Sequence, residues 1–299
     1  ETYTHAKEWR YHANLPIIQF YKVATDNDSP FYNIYGGTQD NNSMGGPSAT
    51  LNASGILNSD WFITNGGDGF ESATDWENPN ITYAQAQYGW LVRYDKASGE
   101  KVPIQPMPGD GEAAYRWNWD SPLLVSRHDA STLYFAANKL FKSNNRGDDW
   151  KTISPDLSRQ LDRNKLPVMG QVWSMDAVMK NRSTTIYGNI VALDESPLKQ
   201  GLLYAGTDDG LIQVTKDEGK TWSRIDNIKG VPERTKVNML TASLHDENEV
   251  FVAFNSQRDG DFTPYLLRST DQGKSWESIS SNLPERGNVY CIKQDHVNP

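Results

Sequence analysis

An eight-residue pattern that recurs along the chain constrains the fold more than any other feature. Thr215-Lys-Asp217-Glu-Gly219-Lys-Thr221-Trp222 and Ser269-Thr-Asp271-Gln-Gly273-Lys-Ser275-Trp276 both read Ser/Thr-x-Asp-x-Gly-x-Ser/Thr-Trp. Ser143-Asn-Asn145-Arg-Gly147-Asp-Asp149-Trp150 is a degenerate third copy, and Arg93-Tyr-Asp95-Lys-Ala-Ser-Gly99 is a weaker fourth that has lost its Trp. The chemistry is that of a β-hairpin turn. The Asp carboxylate accepts hydrogen bonds from turn N–H groups, and Gly adopts the positive φ that a side chain resists. The Trp opens the next strand with a large surface to bury. Three apolar runs stand before each clear copy: 122–126, 132–136 and 139–142; 190–194, 202–207 and 210–214; 238–242, 249–253 and 265–268. Runs at 18–24 and 33–37, and at 81–84 and 90–94, belong to further units. Four short strands repeating every ~50 residues predict an all-β fold, a β-propeller of four-stranded antiparallel blades. A sandwich has no reason to repeat a turn motif, and β-helix rungs are much shorter. Helix signals are nearly absent, apart from a turn around 158–163.

Composition bounds the function classes. With 29 Lys+Arg against 38 Asp+Glu the formal charge is -9, which argues against a broad nucleic-acid binder. No apolar run approaches the ~20 residues of a membrane span. The one cysteine, Cys291, excludes an internal disulfide framework and a Cys-based zinc site, and reads as a small hydrophobe on a strand. The five histidines show no metal-ligand spacing, and His128-Asp129 and His245-Asp246 read as turn residues. No G-x-S-x-G or G-x-x-x-x-G-K-S/T pattern is present. Residues 1–299 hold about five full blades and partial terminal ones, starting near an outer strand marked by Trp9 and ending on an inner strand at 288–293. The expectation is one propeller segment of a longer chain, with remaining blades from the same or another chain closing the ring.

The repeats resemble the Asp-box (BNR) repeat shared by sialidases, xyloglucanases and sortilin/Vps10 ectodomains. The segments beginning at Asn14-Leu-Pro16, Tyr35-Gly-Gly-Thr-Gln-Asp-Asn41, Gly66-Gly-Asp-Gly-Phe70 and Gly206-Thr-Asp-Asp-Gly210 are similar to large bacterial exported proteins of the sortilin/Vps10-like or glycosyl hydrolase BNR-repeat kind. The resemblance covers essentially the whole chain. It implies a periplasmic, cell-surface or extracellular protein that binds a protein, a peptide or a glycan. In a bacterial setting the four N-x-S/T sequons at Asn41, Asn52, Asn80 and Asn181 carry no weight. The repeat is specific for fold and weak for function, since enzymes and non-enzymes share it.

In a propeller the second-to-third-strand turns and the lead-ins to the inner strands gather round the channel, with the Asp-box turns on the opposite rim. Asp40 and Asn41, Asp68, the 116–120 stretch, and Asp208 with Asp209 then share one face. Indole, amide and carboxylate groups there suit sugar binding. Arg116, Trp117, Asn118, Trp119 and Asn41 are the ligand-binding candidates. Asp40, Asp68, Asp208 and Asp209 are the candidate carboxylates for a glycoside hydrolase, spaced ~5 Å for retention or ~6.5–9.5 Å for inversion. Each has a plainer reading as turn chemistry. Asp40 and Asn41 could also ligate calcium; no other cofactor and no metal site is expected. Ser143, Asn145, Gly147, Trp150, Thr215, Asp217, Gly219, Trp222, Ser269, Asp271, Gly273 and Trp276 are structural Asp-box residues. A sialidase fits least, because the nearest text to its Arg-Ile-Pro motif is Arg224-Ile225-Asp226. A binding module, a glycoside hydrolase and a purely architectural propeller remain open.

Overall fold

The computed structural model describes residues 2–11, 18–181 and 186–299; His12 and the Asn14-Leu-Pro16 segment lie outside the described residues. The described residues form five open four-stranded antiparallel sheets, each built from four consecutive strands, with helix confined to short 3-10 turns. The first sheet is β1 (Phe20–Thr25), β2 (Asn33–Thr38), β3 (Ser43–Pro47) and β4 (Phe62–Asn65). The second is β5 (Gly69–Thr74), β6 (Ile81–Ala86), β7 (Trp90–Asp95) and β8 (Lys101–Pro103). The third is β9 (Leu123–Val125), β10 (Leu133–Ala136), β11 (Leu140–Ser143) and β12 (Lys151–Thr152). The fourth is β13 (Ile190–Glu195), β14 (Leu203–Thr207), β15 (Ile212–Thr215) and β16 (Ser223–Ile225). The fifth is β17 (Lys236–Ala242), β18 (Val250–Asn255), β19 (Tyr265–Ser269) and β20 (Glu277–Ser278). The first strand of each sheet lies against the first strand of the next.

The hydrophobic core is divided among the gaps between successive sheets. Tyr83, Leu91, Leu123 and Phe135 fill the second gap, Tyr134, Leu140, Ile190 and Leu203 the third, and Tyr204, Val214, Val237 and Val252 the fourth. The first gap is tighter. A Cβ on Gly37 would lie 2.1 Å from the carbonyl carbon of Gly69, so the two backbones touch and only glycine fits. That contact accounts for the Gly-Gly and Gly-Asp-Gly stretches singled out in the sequence.

The recurrent turn is also a docking element. In its clear copies the Ser/Thr hydroxyl donates to the Asp carboxylate (2.8 Å for Thr215–Asp217 and Ser269–Asp271), while Asp217 accepts from the Thr221 N–H and hydroxyl, and Asp271 from those of Ser275. These bonds hold both carboxyls down at a pKa of about 2 even though burial works the other way. In the degenerate copy Asn145 replaces the Asp and accepts from the Ser143 hydroxyl and the Asp149 N–H. Each Gly then presses on an isoleucine of the preceding sheet: Gly147 on Ile104, Gly219 on Ile153, Gly273 on Ile225. Each Trp stands just ahead of its strand. Trp150 and Trp222 donate their indole N–H to the carbonyls of Ile104 (2.7 Å) and Ile153 (3.1 Å). Trp276 packs beside Ile225 without such a bond. Asp95, in the copy without Trp, still closes its turn by accepting from the Ala97 N–H at 2.8 Å.

Two expectations at the ends differ from the structure. Trp9 is 72% exposed and lies in no strand. Residues 288–295 run beside β17 but join no sheet, because no further strand pairs with them. Side chains hold them instead: the Ser243 hydroxyl donates to Gln294 and His245 to the Asp295 carbonyl, as Ser126 donates to Glu195 and His128 to the Ser196 carbonyl around β13. The segment thus occupies the place of a first strand.

The docking predicts a graded pair of substitutions. Gly219→Ala faces a φ of +87° and a Cβ 2.4 Å from the Ile153 carbonyl oxygen, whereas Gly111→Ala faces a φ of +81° with open space around it. Gly111→Ala should cost about 1 kcal/mol and Gly219→Ala about 2 kcal/mol more. Urea melts of the two variants read the difference, and equal losses would remove the docking contact from the fold's support.

Candidate functional site

In an antiparallel sheet the connection from second to third strand sits at the end where the first strand begins. The turns at 39–42, 87–89, 137–139, 208–211 and 256–264 therefore share one face with the lead-ins to β5, β9, β13 and β17. Hydrogen bonds knit that face together. The Asp40 N–H donates to Asp68 of the next sheet's lead-in (2.8 Å), and within a sheet the lead-in binds the turn, the Asp68 N–H donating to Gln87 (2.9 Å) and the Arg116 N–H to Asn138 (2.9 Å).

Bulges aim side chains into the mouth of this face. β1, β5, β13 and β17 each lose register near their start, between Phe20 and Lys22, Gly69 and Ser72, Ile190 and Ala192, and Val237 and Met239. A bulge bends the strand and re-aims its residues. Tyr21 and Phe70 come from the first two bulges and stack at 4.5 Å. Next to them Lys22 binds both Glu71 (2.5 Å) and Asp120 (3.0 Å), all three about one-third exposed or less. Burial opposes the charge on Lys22, and the two carboxylates outweigh it, so its pKa is raised and it stays an ammonium. Burial pushes the Glu71 carboxyl up against the pull of Lys22. The Tyr21 phenol is pushed up by burial and by the charges of Asp68, Asp40 and Asp120 acting through space.

The sequence candidates divide by surroundings. Asp40 and Asn42 hold left-handed backbone (φ 59° and 72°) in the β2–β3 turn, and Asn41 caps the Gln39 carbonyl. Trp119 stays at the mouth, edge-on to the half-exposed Tyr88 at 5.0 Å. Trp117, two residues earlier, turns into the third sheet, 4.8 Å from Phe135 and 5.7 Å from Phe141, and lies on Gly89. Asn118 accepts from the Asp120 N–H and so holds that carboxylate's backbone. Arg116 binds Asp156 (2.6 Å), Ser158 and the Gly188 carbonyl, tying the lead-in of the third sheet to that of the fourth. Asp209 is fully buried, with its carboxylate taking the Thr207 hydroxyl and the Arg159 N–H. Asp208 accepts from the Gly188 and Asn189 N–H groups; burial, opposed by these bonds and helped by Asp209, pushes its pKa up to about 7. Among the described residues no group of three or more His, Cys, Asp or Glu is arranged to hold a metal ion.

Tyr21, Lys22, Tyr88 and Glu71 escaped the sequence reading. A signal did exist, because Lys22 and Glu71 are 49 residues apart and Lys22 and Asp120 98, one and two repeats. Positions one and two repeats apart, on β1, on β5 and in the lead-in to β9, meet.

No protein-family model matches the chain, and no curated protein matches it in sequence. In three dimensions it is similar to the extracellular domain of the hybrid two-component system BT3049 from B. thetaiotaomicron, with a TM-score of 0.55 and 13% identity over 98% of this chain and 33% of that one. A second similar structure is the extracellular domain of the hybrid two-component system BT4673 from the same organism, with a TM-score of 0.54 and 12% identity over 91% of this chain and 29% of that one. The chain spans about a third of the length of these structures. The likeness is one of fold. No helix among the described residues is long and apolar enough to cross a membrane.

The shared ammonium yields a pH-dependent prediction. Lys22→Met leaves Glu71 and Asp120 facing each other; solvent screening limits the cost to about 1–2 kcal/mol. The Glu71 pKa is already raised and rises further without Lys22, so the loss should be full at pH 8 and shrink toward pH 4 as the carboxyl takes a proton. Thermal melts at both pH values measure it, and a pH-independent loss would rule out this charge balance.

Proposed function

We propose that the five sheets are blades of an exported Asp-box β-propeller whose mouth binds a carbohydrate. The observation that carries this reading is the grouping of exposed aromatic surface with carboxylates at one mouth. Tyr21 stacks on Phe70 amid Asp40, Asp68 and Asp120, and Tyr88 meets Trp119. Flat rings match the apolar faces of sugars, and fixed carboxylates accept from their hydroxyls. The similarity to extracellular domains supports an exported binding module. Exposed Val23 and Ile63 on the first sheet, together with the strand-like 288–295 segment, support further blades, from the same or a second chain, as neighbours. A protein or peptide ligand is the other form of the same reading, as the sortilin resemblance implies.

A glycoside hydrolase has one specific observation in its favour. Glu71 and Asp120 share one ammonium at 2.5 and 3.0 Å, so their oxygens lie within the separation of a retaining pair.

A glycan array followed by calorimetry tests the first reading. Tyr88→Ala and Trp119→Ala should each weaken binding about tenfold or more with little change in melting temperature. Tyr32→Ala, exposed at the opposite end, should leave it unchanged. No glycan binding at millimolar concentration would overturn the proposal. Reducing ends released by the parent chain and lost in Glu71→Gln would replace it with the hydrolase.

A further inference from the structure

The cations of the mouth are unequal. Lys22 has Glu71 and Asp120, Arg116 has Asp156, and the Arg159 guanidinium donates to the Asp209 backbone carbonyl and approaches the Asp226 carboxylate at 3.9 Å. On the fifth sheet Lys236 and Arg258 have no carboxylate within ion-pair distance among the described residues. Lys236 opens β17 directly opposite Asn255, the last residue of β18, and Arg258 follows three residues later on the 3-10 turn Gln257–Asp259. Both side chains therefore stand at the same end of the same hairpin, on the mouth face, and both residues are exposed.

The turn carrying Arg258 is held in place. Its Asp259 N–H donates to the Ser256 carbonyl (2.9 Å), and Gln257 accepts from the Tyr290 hydroxyl (2.5 Å) and the Asn288 amide (3.2 Å). The nearest carboxylate, Asp259, is turned back onto the Ser256 hydroxyl (3.3 Å). Around Lys236 the like charges of Arg258 and Lys22 act against it, while Asp120 and Asp208 attract it from other sheets without forming an ion pair. The surrounding protein and these cations lower its pKa against the pull of the two acids, so an ammonium whose surface is still exposed is left short of counter-charge. Two exposed cations at one end of one hairpin, neither with an ion-pair partner among the described residues, offer an anion two charge-assisted donors in a chain of charge -9.

We propose that Lys236 and Arg258 form an anion subsite that takes a carboxylate of the ligand, so the carbohydrate bound at this mouth is an acidic one, bearing uronic acid. The ligand class rests on the carbohydrate reading above. The subsite itself does not. Aromatic rings and acids on the first three sheets would face the neutral hydroxylated part of the ligand, and the fifth sheet would face its carboxylate.

The test separates the two. Melting temperature is followed with free glucuronate, with glucose and with sodium chloride at matched ionic strength, for the parent chain and for Lys236→Gln/Arg258→Gln. Glucuronate should stabilise the parent chain and not the double variant, with an affinity about tenfold above that for glucose that falls as salt rises. Stabilisation that is the same for glucuronate and glucose, or that survives in the double variant, overturns the subsite. Calorimetry with oligogalacturonate and its methyl ester then addresses the class. An acid preference of about tenfold, collapsing in Lys236→Gln/Arg258→Gln, supports it. Oligogalacturonate bound no better than its ester overturns the acidic-glycan assignment, even where free glucuronate binds. The exposed Lys274→Gln on the opposite rim should change none of these readings.

Discussion

The structure depends on the recurrent Gly–Trp turns sitting against the last-strand side of the sheet before them. Gly219 against Ile153, and the Trp222 indole on the Ile153 carbonyl, join the fourth sheet to the third; Gly147 and Trp150 do the same against Ile104. An isolated four-stranded sheet of such short strands cannot bury enough apolar surface to be stable. Stacked in order, each sheet offers its neighbour a buried face, and the chain gains stability one interface at a time. Ion pairs on the same rim, such as Lys96 with Asp28 and Arg146 with Asp75, follow the same neighbour-to-neighbour rule.

That ordered stacking generates the mouth. Successive sheets related by about fifty residues bring residues at or just before their first strands together, so Lys22, Glu71 and Asp120 form one cluster. The bulges matter because they turn Tyr21 and Glu71 away from regular alternation and toward the shared end. The turn bonds and this charge cluster thus occupy opposite ends of the same sheets. Asp217 and Asp271 close turns at one end, while the charges of Asp40, Asp68 and Asp120 act on Tyr21 at the other.

What was legible in the sequence follows the range of the interactions. The turn bonds of Asp217 to Thr215 and Thr221 span two and four residues, so the spacing of residue types reveals them. Strand order followed from the repeat as well. The split between Trp117 and Trp119 was not legible, since both are tryptophans two residues apart in the same lead-in. Only the position of Phe135, Phe141 and Gly89 sends one inward and leaves the other near Tyr88. Asp208 and Asp209 divide the same way: Arg159, fifty residues away, takes up Asp209, whereas Asp208 caps the lead-in to its own sheet.

By itself, then, the sequence determined the sheets. Short-range chemistry of Asp, Gly and Trp sets turns, and turns set four-stranded units in order. Tertiary structure decided which charges meet and which stay alone. Lys22 receives two carboxylates and Lys236 none, although both are lysines near the start of a first strand. The reason is that ion pairing depends on neighbours one or more repeats distant, and their side chains converge only once the sheets have stacked.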